Sequence, residues 1–205
     1  MFRKVGPVVA ALFLFVSFLV SASLAQTSRS EVSASLTGDF SKETDGQGIA
    51  QVPSQSVGFL ASYRFSLSSR SAVELNYAYT KNDQNYDFGG FAGNSIQTNV
   101  HEVTGAYVFA PRASSRLSPF LLAGGGALIF NPVNNFNNSF LGAETQAKGA
   151  FLYGAGVDYK LFGGVALRAQ YRGLIYKAPD FTVPGFSTGG WGHLAEPTMG
   201  LVFRF

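Results

Sequence analysis

Thr198-Met199-Gly200-Leu201-Val202-Phe203-Arg204-Phe205, the final stretch of the 205 residues, alternates without a break. Met199, Leu201, Phe203 and Phe205 fall on one side of an extended strand; Thr198, Gly200, Val202 and Arg204 fall on the other. The sequence stops on an aromatic, with no polar tail to solvate it. A final strand of a soluble protein would alternate too, so the other strands must decide what this apolar face meets.

Moving back from the end, Val165 to Tyr176 sets Val165, Leu167, Ala169, Tyr171 and Ile175 against Arg168, Gln170, Arg172 and Leu174. Ala147 to Leu161 sets Phe151, Tyr153, Ala155, Val157 and Tyr159 against Lys148, Gly154, Gly156, Asp158 and Lys160. Pro119 to Phe130 shows no clean alternation, and its faces stay unassigned. Thr98 to Phe109, Ser71 to Thr80, Gln55 to Ser66 and Arg29 to Phe40 alternate again, which makes eight expected strands. Their connections are long and short in turn. Ser41 to Ser54, Lys81 to Gln97, Asn131 to Gln146 and Lys177 to His193 read as long loops; Leu67 to Arg70, Ala110 to Ser118 and Phe162-Gly163-Gly164 read as tighter turns. An up-and-down meander then gathers every long loop at one end, the asymmetry of a transmembrane barrel. Strands of about 10 to 12 residues suit a tilted crossing of a bilayer.

Composition agrees. Charged residues are only 13%, against about a quarter in an ordinary soluble domain. Met1 to Ala25 reads as a signal peptide, with basic Arg3 and Lys4, an apolar run from Val8 to Val20 and small Ser23 and Ala25 before cleavage at Ala25–Gln26. Residues 26–205 then form one barrel domain. Removing Arg3 and Lys4 takes two charges from the formal net of +3 and leaves +1, so the basic pI is no argument for a nucleic-acid partner. With no cysteine, a disulfide scaffold and a Cys-ligated metal are excluded.

The apolar faces are expected to point outward, because Phe40, Phe65, Tyr79, Phe109, Tyr159 and Phe205 gather near strand ends as an interfacial girdle requires. A lipocalin-like soluble carrier would turn them inward around a ligand. Charges on the other face pair when each hairpin is folded about its turn: Arg64 with Glu74, and Asp158 with Arg168. Closing the ring brings Arg204 to Glu31, and Arg172 reaches Glu196. Cross-strand partners on one face lie about 5 Å apart, and a charge inside a barrel needs its partner.

Thr198, Gly200, Phe203 and Phe205 resemble the C-terminal signal read by the machinery that assembles bacterial outer-membrane barrels. With the leader, the alternating strands and the loop asymmetry, the chain from Gln26 to Phe205 resembles the small eight-stranded barrels of the outer-membrane protein A type, without their periplasmic domain. That resemblance implies an all-β, antiparallel, up-and-down transmembrane β-barrel in the outer membrane of a Gram-negative-type bacterium. It also implies a monomer in contact with outer-membrane lipid and lipopolysaccharide.

The expected function is non-enzymatic: a structural, adhesion or binding scaffold acting through four long loops, with a lumen too narrow for a general porin. Loop aromatics Tyr86, Phe88, Phe91, Phe136, Phe140, Phe186 and Trp191 are the candidate binding surface for an extracellular ligand. A lipid A acyl hydrolase or transferase is the alternative. It needs a Ser/His/acid set, and only His101 and His193 are present. Adjacent strand residues point oppositely, so His101 and Glu102 are no base-and-orienter pair, and no His-x-Ser-Asn-type stretch occurs. His193 reads as an exposed loop residue. Asp83, Asn85 and Asp87 offer oxygens to calcium but lack the EF-hand glycine and closing glutamate. Asn137-Asn138-Ser139 is a chance-level sequon, and the glycine runs at Gly89-Gly90 and Gly124-Gly125-Gly126 lack a phosphate-loop Lys. No cofactor is expected.

Overall fold

Period-two alternation becomes a closed ring of strands in the computed structural model, which describes residues 29–42, 44–46, 49–88, 91–111, 116–133, 145–179 and 190–205. The leader and the cleavage site expected at Ala25–Gln26 lie outside the described residues. Ten strands follow in order: β1 Ser30–Ser41, β2 Thr44–Gly46, β3 Ile49–Pro53, β4 Ser56–Ser66, β5 Ser71–Phe88, β6 Phe91–Phe109, β7 Leu117–Pro132, β8 Gln146–Phe162, β9 Val165–Lys177 and β10 Trp191–Arg204. Eight of them close the barrel, each antiparallel to its neighbours, in the circular order β1, β4, β5, β6, β7, β8, β9, β10. The seam is β1 on β10, from Glu31 opposite Arg204 to Ser41 opposite Leu194. Gly200 permits this seam, because a Cβ there would strike the carbonyl of Ala34 and the Ser35 Cα. At the β8–β9 turn, Gly163 takes φ 52°, a left-handed conformation that glycine adopts without strain.

The strands outrun the apolar alternation that announces them. Lys81 to Gln97, expected as a long loop, is strand on both sides of residues 89–90: Lys81 stands opposite Asn99 and Tyr86 opposite Asn94, with a bulge before Phe88 meets Phe91. Ser41 to Ser54, also expected as loop, contains the β2–β3 hairpin, and β3 pairs with Gln84–Asp87 of β5 beyond the end of β4. Trp191 and His193 belong to β10, not to a loop. In sequence these segments are mostly polar. They are ordered by backbone pairing, which leaves no period in the hydrophobicity. The strands accordingly reach 18 residues in β5 and 19 in β6, longer than the expected span.

Side-chain direction follows the sequence parity. Leu36, Phe59, Tyr63, Leu75, Tyr77, Val103, Phe151, Tyr171, Met199 and Phe203 are exposed on the outer wall, while Ser33, Ser35, Thr37, Ser62, Asn76, Thr104 and Gln170 are buried inside. The ambiguous strand β7 resolves with Phe120, Leu122, Leu128 and Phe130 buried inward and Leu121 outward. The lumen is therefore not uniformly polar, as alternation elsewhere implied. Val100, Val108, Leu152, Leu174, Tyr176 and Leu194 join those four in one apolar cluster. No helix among the described residues is long and apolar enough to cross a membrane.

Candidate functional site

Inside the turn end of the barrel, three arginines and three carboxylates converge from six strands. Register places Arg64 of β4 opposite Glu74 of β5, Asp158 of β8 opposite Arg168 of β9, and Glu31 of β1 opposite Arg204 of β10. Arg64 Nε donates to Glu74 Oε2 at 2.7 Å. Arg168 grips Asp158 in bidentate fashion, Nε to Oδ1 at 2.7 Å and Nη2 to Oδ2 at 2.9 Å. Arg204 donates to Glu31 Oε1 at 2.9 Å and to Asp158 Oδ2 at 2.7 Å.

The cluster is larger than the sum of these neighbouring pairs. Arg168 also reaches Glu31 Oε2 at 2.9 Å and Glu74 Oε2 at 3.4 Å, joining strands that do not touch in the sheet. Phe120 of β7 lies beneath it, its ring centre 4.3 Å from the Arg64 guanidinium carbon and 5.1 Å from that of Arg168. Gly156 on β8 makes room for that ring, since a Cβ there would meet Phe120 Cζ at 2.5 Å. Three positive and three negative groups, mutually bonded, satisfy the requirement that charge removed from water be paired. A cavity of about 250 Å³ opens at the turn end directly onto this network, bordered by Glu31, Arg64, Asp158 and Arg204 together with Ser68 and Arg70.

A second centre lies further toward the loop end. Arg172 of β9 faces Glu196 of β10 across the strand pair, Nη1 to Oε2 at 3.0 Å. It also bonds Glu102, which comes from β6 on the other side of the lumen. Thr104 Oγ1 donates to the same Glu102 oxygen at 2.7 Å. Spacing in the sequence gives no hint of Glu102 as a partner, because β6 and β9 are never neighbours in the meander. Phe120 escapes in the same way, since β7 is apolar on both faces.

Neither histidine enters the lumen. His101 Nδ1 lies 2.9 Å from the hydroxyl of Tyr77, and His193 Nε2 lies 2.7 Å from that of Tyr153, both on the outer wall. Among the described residues no group of three or more His, Cys, Asp or Glu is arranged to hold a metal ion. Asp83, Asn85 and Asp87 fall at alternate positions of β5, and Tyr86, Phe88 and Phe91 on β5 and β6, but the side chains of these positions lie outside the described ones. Phe136, Phe140, Phe186 and the sequon at Asn137 also fall outside the described residues. Of the four residues resembling an assembly signal, Thr198 is buried inward, Gly200 sits at the seam, and Phe203 is exposed outward. Phe205 closes the edge by exchanging backbone bonds with Ser30 at 2.9 and 3.2 Å.

Residues 10–194 match the family described as outer membrane protein beta-barrel domain. Among solved structures, the outer membrane protein OprG of Pseudomonas aeruginosa is similar with a TM-score of 0.65 at 12% identity, covering 88% of this chain and 97% of that one. Neisserial surface protein A gives 0.61 at 14% identity, over 86% and 97% of the two chains. Ail, the attachment invasion locus protein of Yersinia pestis, in complex with the heparin analogue sucrose octasulfate, gives 0.56 at 20% identity, over 88% and 100%. At these identities the likeness is one of fold. No curated protein matches the chain.

Proposed function

The chain belongs to the outer membrane protein beta-barrel family, and from that membership we propose that it is a non-enzymatic scaffold displaying a binding surface at its loop end. It is an outer-membrane protein of the Gram-negative type that crosses the bilayer by its strands. The observation that carries the proposal is the filled lumen. Arg168 and Arg172, together with Leu60, Leu128, Leu152 and Leu174, are almost wholly buried inside the ring. Eight strands leave an interior only wide enough for such side chains, which argues against a general porin. The histidines bonded to tyrosines on the outer wall favour the non-catalytic reading over lipid A acyl chemistry, for which a histidine needs an acid behind it and a nucleophile ahead.

In this reading the protein acts as a monomer, with membrane lipid and lipopolysaccharide around the wall and an extracellular ligand at the loop end. The residues Thr198, Gly200, Phe203 and Phe205 present the last strand to the barrel-assembly machinery. The leader is cut between Ala25 and Gln26. Refolding in detergent tests the whole: a form that resists dodecyl sulfate until boiled, that leaves planar bilayers without stable large conductance steps and that leaves lipid A acyl chains intact is expected. Steady porin-sized conductance, or release of fatty acid from lipid A, would overturn it.

A further inference from the structure

Charge is sorted between the two faces of the wall. Of the strand residues whose side chains are described, Glu31, Asp39, Glu74, Glu102, Asp158 and Glu196 all sit on the lumen side of their strands. Fixed charge on the outward parity is confined to Lys81 and Lys177, both exposed and both toward the loop end. A lysine on a face bathed in hydrocarbon is tolerated where its ammonium can reach the headgroup layer.

Around Lys177 the wall is built to present donors. Lys177 stands opposite Trp191 in the β9–β10 register, its ammonium 6.0 Å from the ring centre. Two residues along β10, His193 points the same way and is held by the Tyr153 hydroxyl. Tyr153 belongs to β8, so it must cross β9 to arrive. It does so over Gly173, where a Cβ would lie 2.6 Å from Tyr153 Cε1. The exposed Lys42 follows β1 and is fixed alongside, its backbone N–H donating to the His193 carbonyl at 2.9 Å. The result is an aromatic platform carrying two ammonium groups, a hydroxyl and an imidazole, with no carboxylate among these residues.

The geometry points to a site for the phosphate group of an outer-leaflet lipid on the outer wall of β8, β9 and β10, bound by Lys177, Lys42 and His193 and floored by Tyr153 and Trp191. The inference rests on the membrane-barrel reading, which sets this rim at the extracellular headgroups. Charge complementarity selects the partner: a patch whose described residues are cationic or neutral, set at headgroup depth, is attracted to anionic lipid, and Trp and Tyr settle at the same depth.

Trp191 is the only tryptophan and so reports on this patch directly. The protein refolded into phosphatidylcholine vesicles is titrated with diphosphoryl lipid A while Trp191 emission is followed. A saturable shift is expected, about fivefold weaker in apparent affinity for Lys177→Gln, regained in Lys177→Arg and unchanged in Lys160→Gln at the turn end. An equal shift with dephosphorylated lipid A, or Lys177→Gln binding as the wild type does, overturns the site. Competition by inorganic phosphate alone overturns the choice of a lipid. Failure to insert in any vesicle, seen as loss of heat-modifiable migration, overturns the barrel reading beneath it.

Discussion

The two walls of the lumen solve the same filling problem in different ways. At the turn end, Glu31, Arg64, Glu74, Asp158, Arg168 and Arg204 fill the ring with bonded charge. Along β6 to β9, Leu122, Leu128, Phe130, Leu152 and Leu174 fill it with hydrocarbon. The charged wall draws its order from partners: each group is expensive to bury alone and is stabilised only by the others. The apolar wall draws its order from shape, large residues of β7 lying over glycines of β8. Phe120 belongs to both, packed over Gly156 and capped by two guanidinium groups.

Removing a partner should therefore cost more than removing space. Arg168→Met leaves Asp158, Glu31 and Glu74 without the group that ties them together, and we expect a loss of about 3 to 5 kcal/mol. Urea titration of the refolded protein in vesicles, with the folded fraction read from heat-modifiable migration, gives the value. A loss under about 1 kcal/mol would mean that water enters the cluster and the wall is not dry.

On the apolar side, Gly156→Ala drives a methyl into Phe120 and Gln170 and should cost about 1 to 3 kcal/mol. Phe120→Leu in the same chain should give back part of that loss, because the smaller side chain leaves room for the methyl. If the two changes simply add, the glycine and the ring are not complementary, and the contrast between the walls loses its shape half.

How much of this was legible follows from what fixes each contact. The Leu67–Arg70 and Gly163-Gly164 turns are short, so counting outward from them sets Arg64 across from Glu74 and Asp158 across from Arg168. The span from Arg172 to Glu102 crosses the lumen between strands with no common turn, and no spacing in the chain encodes it. Strand β7 hides its inward face because both of its faces are apolar, so Phe120 and Leu122 could not be told from Leu121. The extension of β5 and β6 past Lys81 and Thr98 hides for the opposite reason. The sequence there is mostly polar, and alternation reports burial rather than backbone pairing.

The end of β10 sets the two kinds of residue side by side. Arg204 points into the charged wall yet remains a quarter exposed, and both its carboxylates keep Arg168 as a second partner. Arg204→Gln should therefore cost only about 1 kcal/mol in the same urea titration; a loss as large as that of Arg168→Met would show that the cluster acts as a single unit. Phe205 beside it bonds Ser30 through backbone atoms alone, so Phe205→Ser should shift stability by less than about 0.5 kcal/mol. Its proposed role is in delivery, before the barrel exists. The variant should refold in vitro as the wild type does while its amount in the outer-membrane fraction of expressing cells falls severalfold. Equal amounts in that fraction would reduce Phe205 to one more outward aromatic, and a matching loss in vitro would place its effect in the fold.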